Sequence, residues 1–199
     1  MTASNSEFPQ FSSTLGAMNK LTIPNALSAS RLLLALWVAW CLIEGHLLLA
    51  WLLFLTAVLT DLMDGYLARH WRQTSPFGGL LDHSSDAIFI TTILAILSHQ
   101  QYISWLLPPL VLASFVQYVL DSKVLQGYPL RGSQLGRYNG IAYFILAGFP
   151  IGQEALNFRP IPYLWIEWFA WILIASTLIS MANRLVAFLR LRSSSVTKS

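Results

Sequence analysis

Four aspartates close together in the sequence are the residues best suited to chemistry. Asp61 and Asp64 open the stretch "DLMDGYLARHWRQTSPFGGLLDHSSD", and Asp82 and Asp86 close it. Because the members of each pair are three or four residues apart, each pair would share one face of a helix. Carboxylate oxygens are hard ligands that suit Mg²⁺, Mn²⁺ or Ca²⁺ better than Zn²⁺. Three carboxylates could hold two divalent ions, and the fourth could remain free as a base.

The elements that must position these carboxylates are predicted to be membrane helices. The chain is 55% hydrophobic and only 11% charged, whereas a soluble domain carries about 25% charged residues. Its composition therefore indicates an all-α integral membrane protein. We predict a bundle of six transmembrane helices, over the segments Asn25–Ile43, Leu47–Arg69, Leu81–Ser98, Tyr102–Ser122, Gly136–Ile151 and Ile161–Leu189.

The aspartates are predicted to lie inside the second and third helices. The apolar run before Asp61 has 14 residues and the run after Asp86 has 12, whereas a spanning helix needs about 20. An ionised group at membrane depth costs about 2.5–3.5 kcal/mol, so the four carboxylates need cations or a wet cavity. Antiparallel packing of the two helices would bring all four together, and a purely structural charge cluster is the alternative interpretation.

Basic residues predict the orientation of the bundle. With the N-terminus inside, eleven of the twelve Lys and Arg residues lie on the cytoplasmic side or at inner helix ends, and only Arg159 lies outside. This asymmetry follows the positive-inside rule. The net charge of +3 thus indicates an anionic membrane surface, not nucleic acid. We predict a cytoplasmic or interfacial segment over 1–20, a membrane domain over 21–191 and a cytoplasmic tail over 192–199.

The aspartates belong to a longer pattern, D-x2-D-G-x2-A-R-x8-G-x3-D-x3-D, which is complete in this chain. Its members are Asp61, Asp64, Gly65, Ala68, Arg69, Gly78, Asp82 and Asp86. The pattern resembles the signature of the CDP-alcohol phosphotransferases, also called CDP-alcohol phosphatidyltransferases. "IPNALSASR" at 23–31 is similar to the opening of the first helix in that family.

The resemblance implies transfer of a phosphatidyl group from a CDP-linked lipid, such as CDP-diacylglycerol, to the hydroxyl of a polar alcohol, with release of CMP. Two Mg²⁺ or Mn²⁺ ions would be held by Asp61, Asp64 and Asp82, with Asp86 also near the metals. Asp86 would be the catalytic base. Arg31, Asn25 and Arg69 would hold the nucleotide or the carboxylates of the motif. The full set implied to bind the nucleotide is Asn25, Arg31, Asp61, Gly65, Ala68, Arg69, Gly78 and Gly79.

For the acceptor alcohol, "PLRGSQLGRYNG" at 129–140 resembles a loop of the family that leads into the fifth helix. The implied acceptor-binding residues are Lys123, Arg131, Ser133 and Arg137, with Arg184 as a further candidate. Arginine binds a phosphate dianion bidentately, which favours a phosphorylated polyol such as glycerol-3-phosphate or inositol phosphate. The chain departs from glycerol-phosphate users at "LDSK", residues 120–123, where we expect Arg followed by an acidic residue. The family also implies a homodimer in the bacterial inner membrane, with both termini and the active site cytoplasmic.

Two other functions could use carboxylates in a helical bundle. Intramembrane prenyltransferases also combine aspartate-rich motifs with Mg²⁺, but their two motifs lie far apart in sequence. Intramembrane carboxylates also mark the ion pathways of cation-coupled transporters. Neither alternative accounts for Gly65, Ala68, Arg69 and Gly78 at their fixed spacing. His83, which is one residue off the face of the aspartates, is predicted to line the site without binding the metal.

Overall fold

The computed structural model describes residues 23–70, 76–121 and 134–196. Within these ranges the chain forms α-helices joined by short connections. The six helices are α1 Ile23–Ile43, α2 Leu47–His70, α3 Pro76–His99, α4 Leu107–Asp121, α5 Gln134–Ala155 and α6 Tyr163–Val196. The predicted N-terminal segment, 1–20, lies outside the described residues.

Three of these helices are long and apolar enough to cross a membrane. The qualifying stretches are Ala26–Ile43 in α1, Gly78–His99 in α3 and Tyr163–Ala187 in α6. Shorter apolar stretches, Leu47–Met63 and Leu107–Asp121, occur in α2 and α4. The prediction of an all-helical membrane protein is therefore confirmed, and the count of six spans stays a prediction.

Two helix starts differ by five residues from the sequence-based boundaries, whereas the others agree within two residues. Helix α3 begins at Pro76, five residues before the predicted start, because proline is well suited to the first helical position. Helix α4 begins only at Leu107, since the chain turns over residues 100–106 and Gln101 adopts a φ of 63°. At the C-terminal end, α6 continues to Val196, past the predicted helix end at Leu189.

The bundle is apolar on the outside as well as in its core. Large side chains such as Leu36, Leu59 and Ile172 are each at least 60% exposed, which is typical of a surface that faces lipid. Buried positions include polar residues, among them Arg31 and Thr177, which are fully buried. Polar groups at membrane depth normally face the bundle interior, so this distribution fits a membrane protein with a polar interior.

Three stacked aromatic rings join helices α2, α3 and α5 in the core. The ring centroids of Phe54 and Phe89 are 5.8 Å apart, and those of Phe89 and Phe144 are 6.2 Å apart. Phe89 is fully buried and lies three residues after Asp86. The stack therefore supports the turn of α3 that carries this carboxylate.

Helices α2 and α5 approach closely because two glycines on α5 accept aromatic rings from α2. A Cβ atom added at Gly148 would lie 2.4 Å from Cε1 of Phe54, and one added at Gly152 would lie 2.7 Å from Nε1 of Trp51. No side chain fits at either position without displacing a ring. The glycines thus fix the distance between the helix that carries Asp61 and the helix that carries Arg137.

Candidate active site

Arg31 lies at the centre of a cluster of carboxylates. Its side chain is fully buried in α1, and its guanidinium lies 3.0 Å from Oδ1 of Asp61 and 3.2 Å from Oδ1 of Asp82. The same guanidinium donates to Oδ1 of Asp86. Ser28, one turn before Arg31, donates to Asp82 at 3.3 Å. The three aspartates therefore converge, as their spacing predicts, and α1 supplies the positive charge between them.

The carboxylates are accessible even though the arginine is not. The side chains of Asp61, Asp82 and Asp86 are 34%, 30% and 21% exposed. A carboxylate that is partly exposed keeps oxygen lone pairs available for another ligand. The cluster can therefore bind a further cation on the side that Arg31 does not cover.

Part of this cluster has the spacing of a metal site. One ligand atom from each of Asp82, His83 and Asp86 lies within 4.8 Å of the others. His83 is exposed and its ring is close enough to the two carboxylates to ligate, so the expectation that it does not bind the metal stays a prediction. Three carboxylates from α2 and α3 offer the hard oxygens that Mg²⁺ and Mn²⁺ prefer. The donor set thus fits a divalent cation.

A cavity of about 790 Å³ opens beside the carboxylates. Asp61 and Asp86 line it from α2 and α3, whereas Arg137 and Arg184 line it from α5 and α6. Its volume falls in the range of about 300–1,000 Å³ that is usual for ligand sites. Opposite charges thus face one shared space that is large enough for a substrate.

Helix α4 holds Arg184 in place. Nη1 of Arg184 donates to the carbonyl oxygen of Ser114 at 3.4 Å, and Cζ lies 5.1 Å from the ring centroid of Tyr118. Nε2 of Gln117 donates to the carbonyl oxygen of Met181 at 2.9 Å, which ties the preceding turn of α6 to α4. The sequence had marked Arg184 only as a further candidate, because a single arginine in an apolar helix is also explained by membrane topology.

Buried polar pairs join α5 to α6. The hydroxyls of Tyr143 and Thr177 are hydrogen-bonded, and Ser176 donates to Oδ1 of Asn139 at 2.7 Å. A polar pair inside an apolar bundle has few alternative partners, so it specifies one packing of the two helices. These bonds therefore set the relative position of the helices that carry the two arginines of the cavity.

The remaining predicted site residues fall into two groups. Gly78 and Gly79 are half-buried in the first turns of α3, near Asp82. Asn25 belongs to α1, and Asp64, Gly65, Ala68 and Arg69 belong to α2, but their side chains lie outside the described part of the structure. Lys123, Arg131 and Ser133 also lie outside the described residues.

The fold and the site define a helical membrane protein with a buried arginine, a cluster of carboxylates and a cavity lined by residues of both charges. The family model for CDP-alcohol phosphatidyltransferase matches residues 21–182. This match covers most of the chain, which therefore belongs to that family. The family resemblance predicted from the signature motif is confirmed.

Curated relatives match over shorter regions. A CDP-diacylglycerol–glycerol-3-phosphate 3-phosphatidyltransferase from Haemophilus influenzae is 34% identical over 47% of this chain and 52% of its own length. An enzyme with the same name from Blochmanniella floridana is 43% identical over 32% of this chain and 33% of its own. The human cardiolipin synthase (CMP-forming) is 40% identical over 43% of this chain and 29% of its own. The matches thus span about half of these relatives or less.

Proposed function

We propose that this protein transfers a phosphatidyl group from a CDP-linked lipid, CDP-diacylglycerol, to the hydroxyl of a polar alcohol and releases CMP. The observation that carries the proposal is the convergence of Asp61, Asp82 and Asp86 beside a cavity that Arg137 and Arg184 also line. The membership of the family and the names of the relatives support the same reaction.

Asp86 is the best candidate for the catalytic base. Asp86 lines the cavity, whereas Asp82 does not, so Asp86 is the α3 carboxylate that an alcohol in the cavity would meet. It would take the proton from the acceptor hydroxyl, and that oxygen would form a bond to the lipid-bearing phosphorus of the donor. The pyrophosphate bond on the other side of this phosphorus would break, and CMP would leave with the bonding electrons.

Asp61, Asp64 and Asp82 would hold two divalent cations, Mg²⁺ or Mn²⁺, with Asp86 alongside. When bound, these ions supply charge neutralisation for the pyrophosphate oxygens and the leaving phosphate. Arg31 contacts the carboxylates, which is one of the two roles that the family resemblance implies for it. Its buried charge would keep the acidic side chains together and orient their oxygens.

The nucleotide would lie near the start of α3 and the end of α2. Gly78 and Gly79 lack side chains, which leaves space for cytidine beside Asp82. Gly65, Ala68, Arg69 and Asn25 complete the set that the family motif implies, and their part in binding is a prediction from the sequence alone.

The acceptor would bind on the arginine side of the cavity. Arg137 and Arg184 line the same cavity as Asp61 and Asp86, and guanidinium groups bind phosphate bidentately. A phosphorylated polyol such as glycerol-3-phosphate or inositol phosphate would then place its phosphate at the arginines and its hydroxyl towards Asp86. Lys123, Arg131 and Ser133 are predicted to add to this subsite.

The placement of the protein in the membrane is also part of the proposal. We infer a six-span domain over 21–191 in the bacterial inner membrane, with both termini and the active site on the cytoplasmic side. The lipid donor would then reach the cavity from the bilayer and the polar acceptor from the cytoplasm. Assembly as a homodimer follows from the family alone.

The test is CMP release by the purified protein from CDP-diacylglycerol and Mg²⁺, with glycerol-3-phosphate, inositol phosphate, serine and glycerol as acceptors. Loss of a general base typically costs about 10²–10⁴-fold, so Asp86→Asn should lower the rate by at least about 100-fold. Glu44→Gln, a change of an exposed carboxylate in the turn after α1, is the matched control and should leave the rate unchanged.

The alternative functions give different results in the same preparation. Wild-type protein that releases no CMP with any acceptor would contradict the proposal. Consumption of a prenyl diphosphate would favour a prenyltransferase. Metal-dependent uptake into liposomes without CMP formation would favour a transporter.

A further inference from the structure

We propose that Tyr118 is a positioning residue that holds Arg184 away from the carboxylates and ready for an anionic acceptor. The inference rests on the proposed function, because it assigns the anionic end of the acceptor to Arg184. It concerns a residue outside the signature motif and on a helix that contributes none of the clustered carboxylates.

Tyr118 contacts a cationic residue of the cavity, Arg184, and also His83, the neighbour of Asp82 in the sequence. On one side, its ring centroid lies 5.1 Å from Cζ of Arg184, within the range of a cation–π interaction. On the other side, its ring meets the ring of His83 edge to face, with centroids 6.0 Å apart. His83 is adjacent to Asp82 and close to Asp86, so one aromatic ring contacts both the guanidinium and a residue of the acidic cluster.

Electrostatics explains why a separator is needed. Asp61 and Asp86 line the same cavity as Arg184, and opposite charges attract strongly where water is limited. An arginine side chain is long and has many accessible rotamers. Without a ring beside it, Arg184 could swing to the carboxylates and close the space that the acceptor must occupy.

The other contacts between α4 and α6 leave the position of the Arg184 guanidinium dependent on Tyr118. Gln117 fixes the backbone of α6 at Met181, three residues before Arg184. The carbonyl oxygen of Ser114 accepts from Nη1 of Arg184 at 3.4 Å, which is long for a strong hydrogen bond. Among the described residues, the tyrosine ring is therefore the main contact that positions the guanidinium.

The experiment compares Tyr118→Leu and Tyr118→Phe in the full-length protein. The readouts are the KM for glycerol-3-phosphate, the KM for CDP-diacylglycerol and kcat, together with calorimetric binding of glycerol-3-phosphate, which needs no turnover. A cation–π contact of this kind corresponds to about 2- to 30-fold in affinity. Tyr118→Leu should raise the KM and the Kd for glycerol-3-phosphate by a factor in this range, with kcat and the donor KM within about twofold of wild type. Tyr118→Phe keeps the ring and should stay close to wild type.

A double-mutant cycle with Arg184→Met separates positioning from a general structural effect. If Tyr118 acts through Arg184, Tyr118→Leu has no further effect on acceptor affinity once Arg184 is replaced. Equal behaviour of the Leu and Phe variants, an additive effect in the Arg184→Met background, or no affinity for glycerol-3-phosphate in the wild type would overturn the inference. If Tyr118→Leu does not fold, Tyr118→Met serves in its place.

The same measurements distinguish a failure of this inference from a failure of the proposed function. Wild-type CMP release with unchanged acceptor affinity in Tyr118→Leu would remove the role of Tyr118 and leave phosphatidyl transfer intact. Acceptor binding that depends on Tyr118 and Arg184 without any CMP release would support the role of Tyr118 and contradict phosphatidyl transfer.

Discussion

Replacement of Arg31 by methionine should make the protein depend on a divalent cation for its stability. Arg31 is fully buried, and its guanidinium contacts Asp61, Asp82 and Asp86. Methionine fills a similar apolar volume but carries no charge. The variant would therefore leave three neighbouring carboxylates on α2 and α3 without the cation that α1 supplies.

The size of the effect follows from the geometry. Removal of one partner from a buried ion pair typically costs about 3–5 kcal/mol. The three carboxylates are 21–34% exposed, so water screens part of their repulsion and about 2–4 kcal/mol is expected. For a chain of this length, each kcal/mol lowers the melting temperature by about 2–4 °C. The melting temperature of the variant in EDTA should therefore fall by about 5–15 °C.

The measurement is thermal unfolding in detergent, in EDTA and in Mg²⁺, for wild type, Arg31→Met and Arg159→Met. Arg159 is the matched control, since it pairs with Glu154 at 2.7 Å but its side chain is 56% exposed, and such exposed pairs add little to stability. Mg²⁺ should raise the melting temperature of Arg31→Met by more than that of wild type. The reasoning would be refuted if Arg31→Met had the same melting temperature as wild type in EDTA. It would also be refuted if Mg²⁺ raised the melting temperature of the variant by no more than that of wild type.

Three other changes test the packing and the metal dependence. Gly148→Ala should lower stability by about 1–3 kcal/mol, because its Cβ would clash with the ring of Phe54. Gly140→Ala is the control and should not lower stability, since nothing lies within 4 Å of the added atom. Equal melting temperatures of the two variants would contradict this packing. Tyr143→Phe should cost only about 1 kcal/mol, since the hydroxyl of Thr177 still donates to the carbonyl oxygen of Leu173 at 2.6 Å; a loss above about 3 kcal/mol in chemical denaturation would show that the tyrosine hydroxyl has another role. EDTA should abolish CMP release, and added Mg²⁺ or Mn²⁺ should restore it, while activity that persists in EDTA would exclude the proposed two-cation mechanism.

The sequence predicted the acidic side of the cavity well because charges in an apolar chain are rare and their spacing is informative. Asp61, Asp82 and Asp86 could be placed on facing helices from the three- and four-residue intervals and from the lengths of the apolar runs. The contact between Arg31 and these carboxylates was one of two roles that the family resemblance allowed. The packing of α1 against α2 and α3 shows this contact, and the role of Arg31 towards the nucleotide stays a prediction.

The cationic side could not be predicted in the same way. Helices α4 and α6 are apolar on nearly all faces, so hydrophobic periodicity does not indicate which residues point inward. Tyr118 and Gln117 belong to no recognised sequence motif. Their proximity to Arg184 depends on how two helices that are far apart in sequence cross. The late start of α4 depends on the turn at 100–106, which apolar composition alone does not reveal.

The length of helix α6 indicates where its residues would lie relative to the two membrane boundaries. Its 34 residues would extend over about 51 Å, compared with about 30 Å for the hydrocarbon core. Exposed Trp165 and Trp168 near its start suit one lipid–water boundary, and Arg184 follows Tyr163 by about 32 Å, near the opposite boundary. Asp86 lies about 20 Å along α3 from His99, whereas Arg184 lies about 32 Å along α6 from Tyr163. In the proposed reaction, a water-soluble acceptor would enter the cavity at the boundary near Arg184, and the acyl chains of the donor would stay in the bilayer.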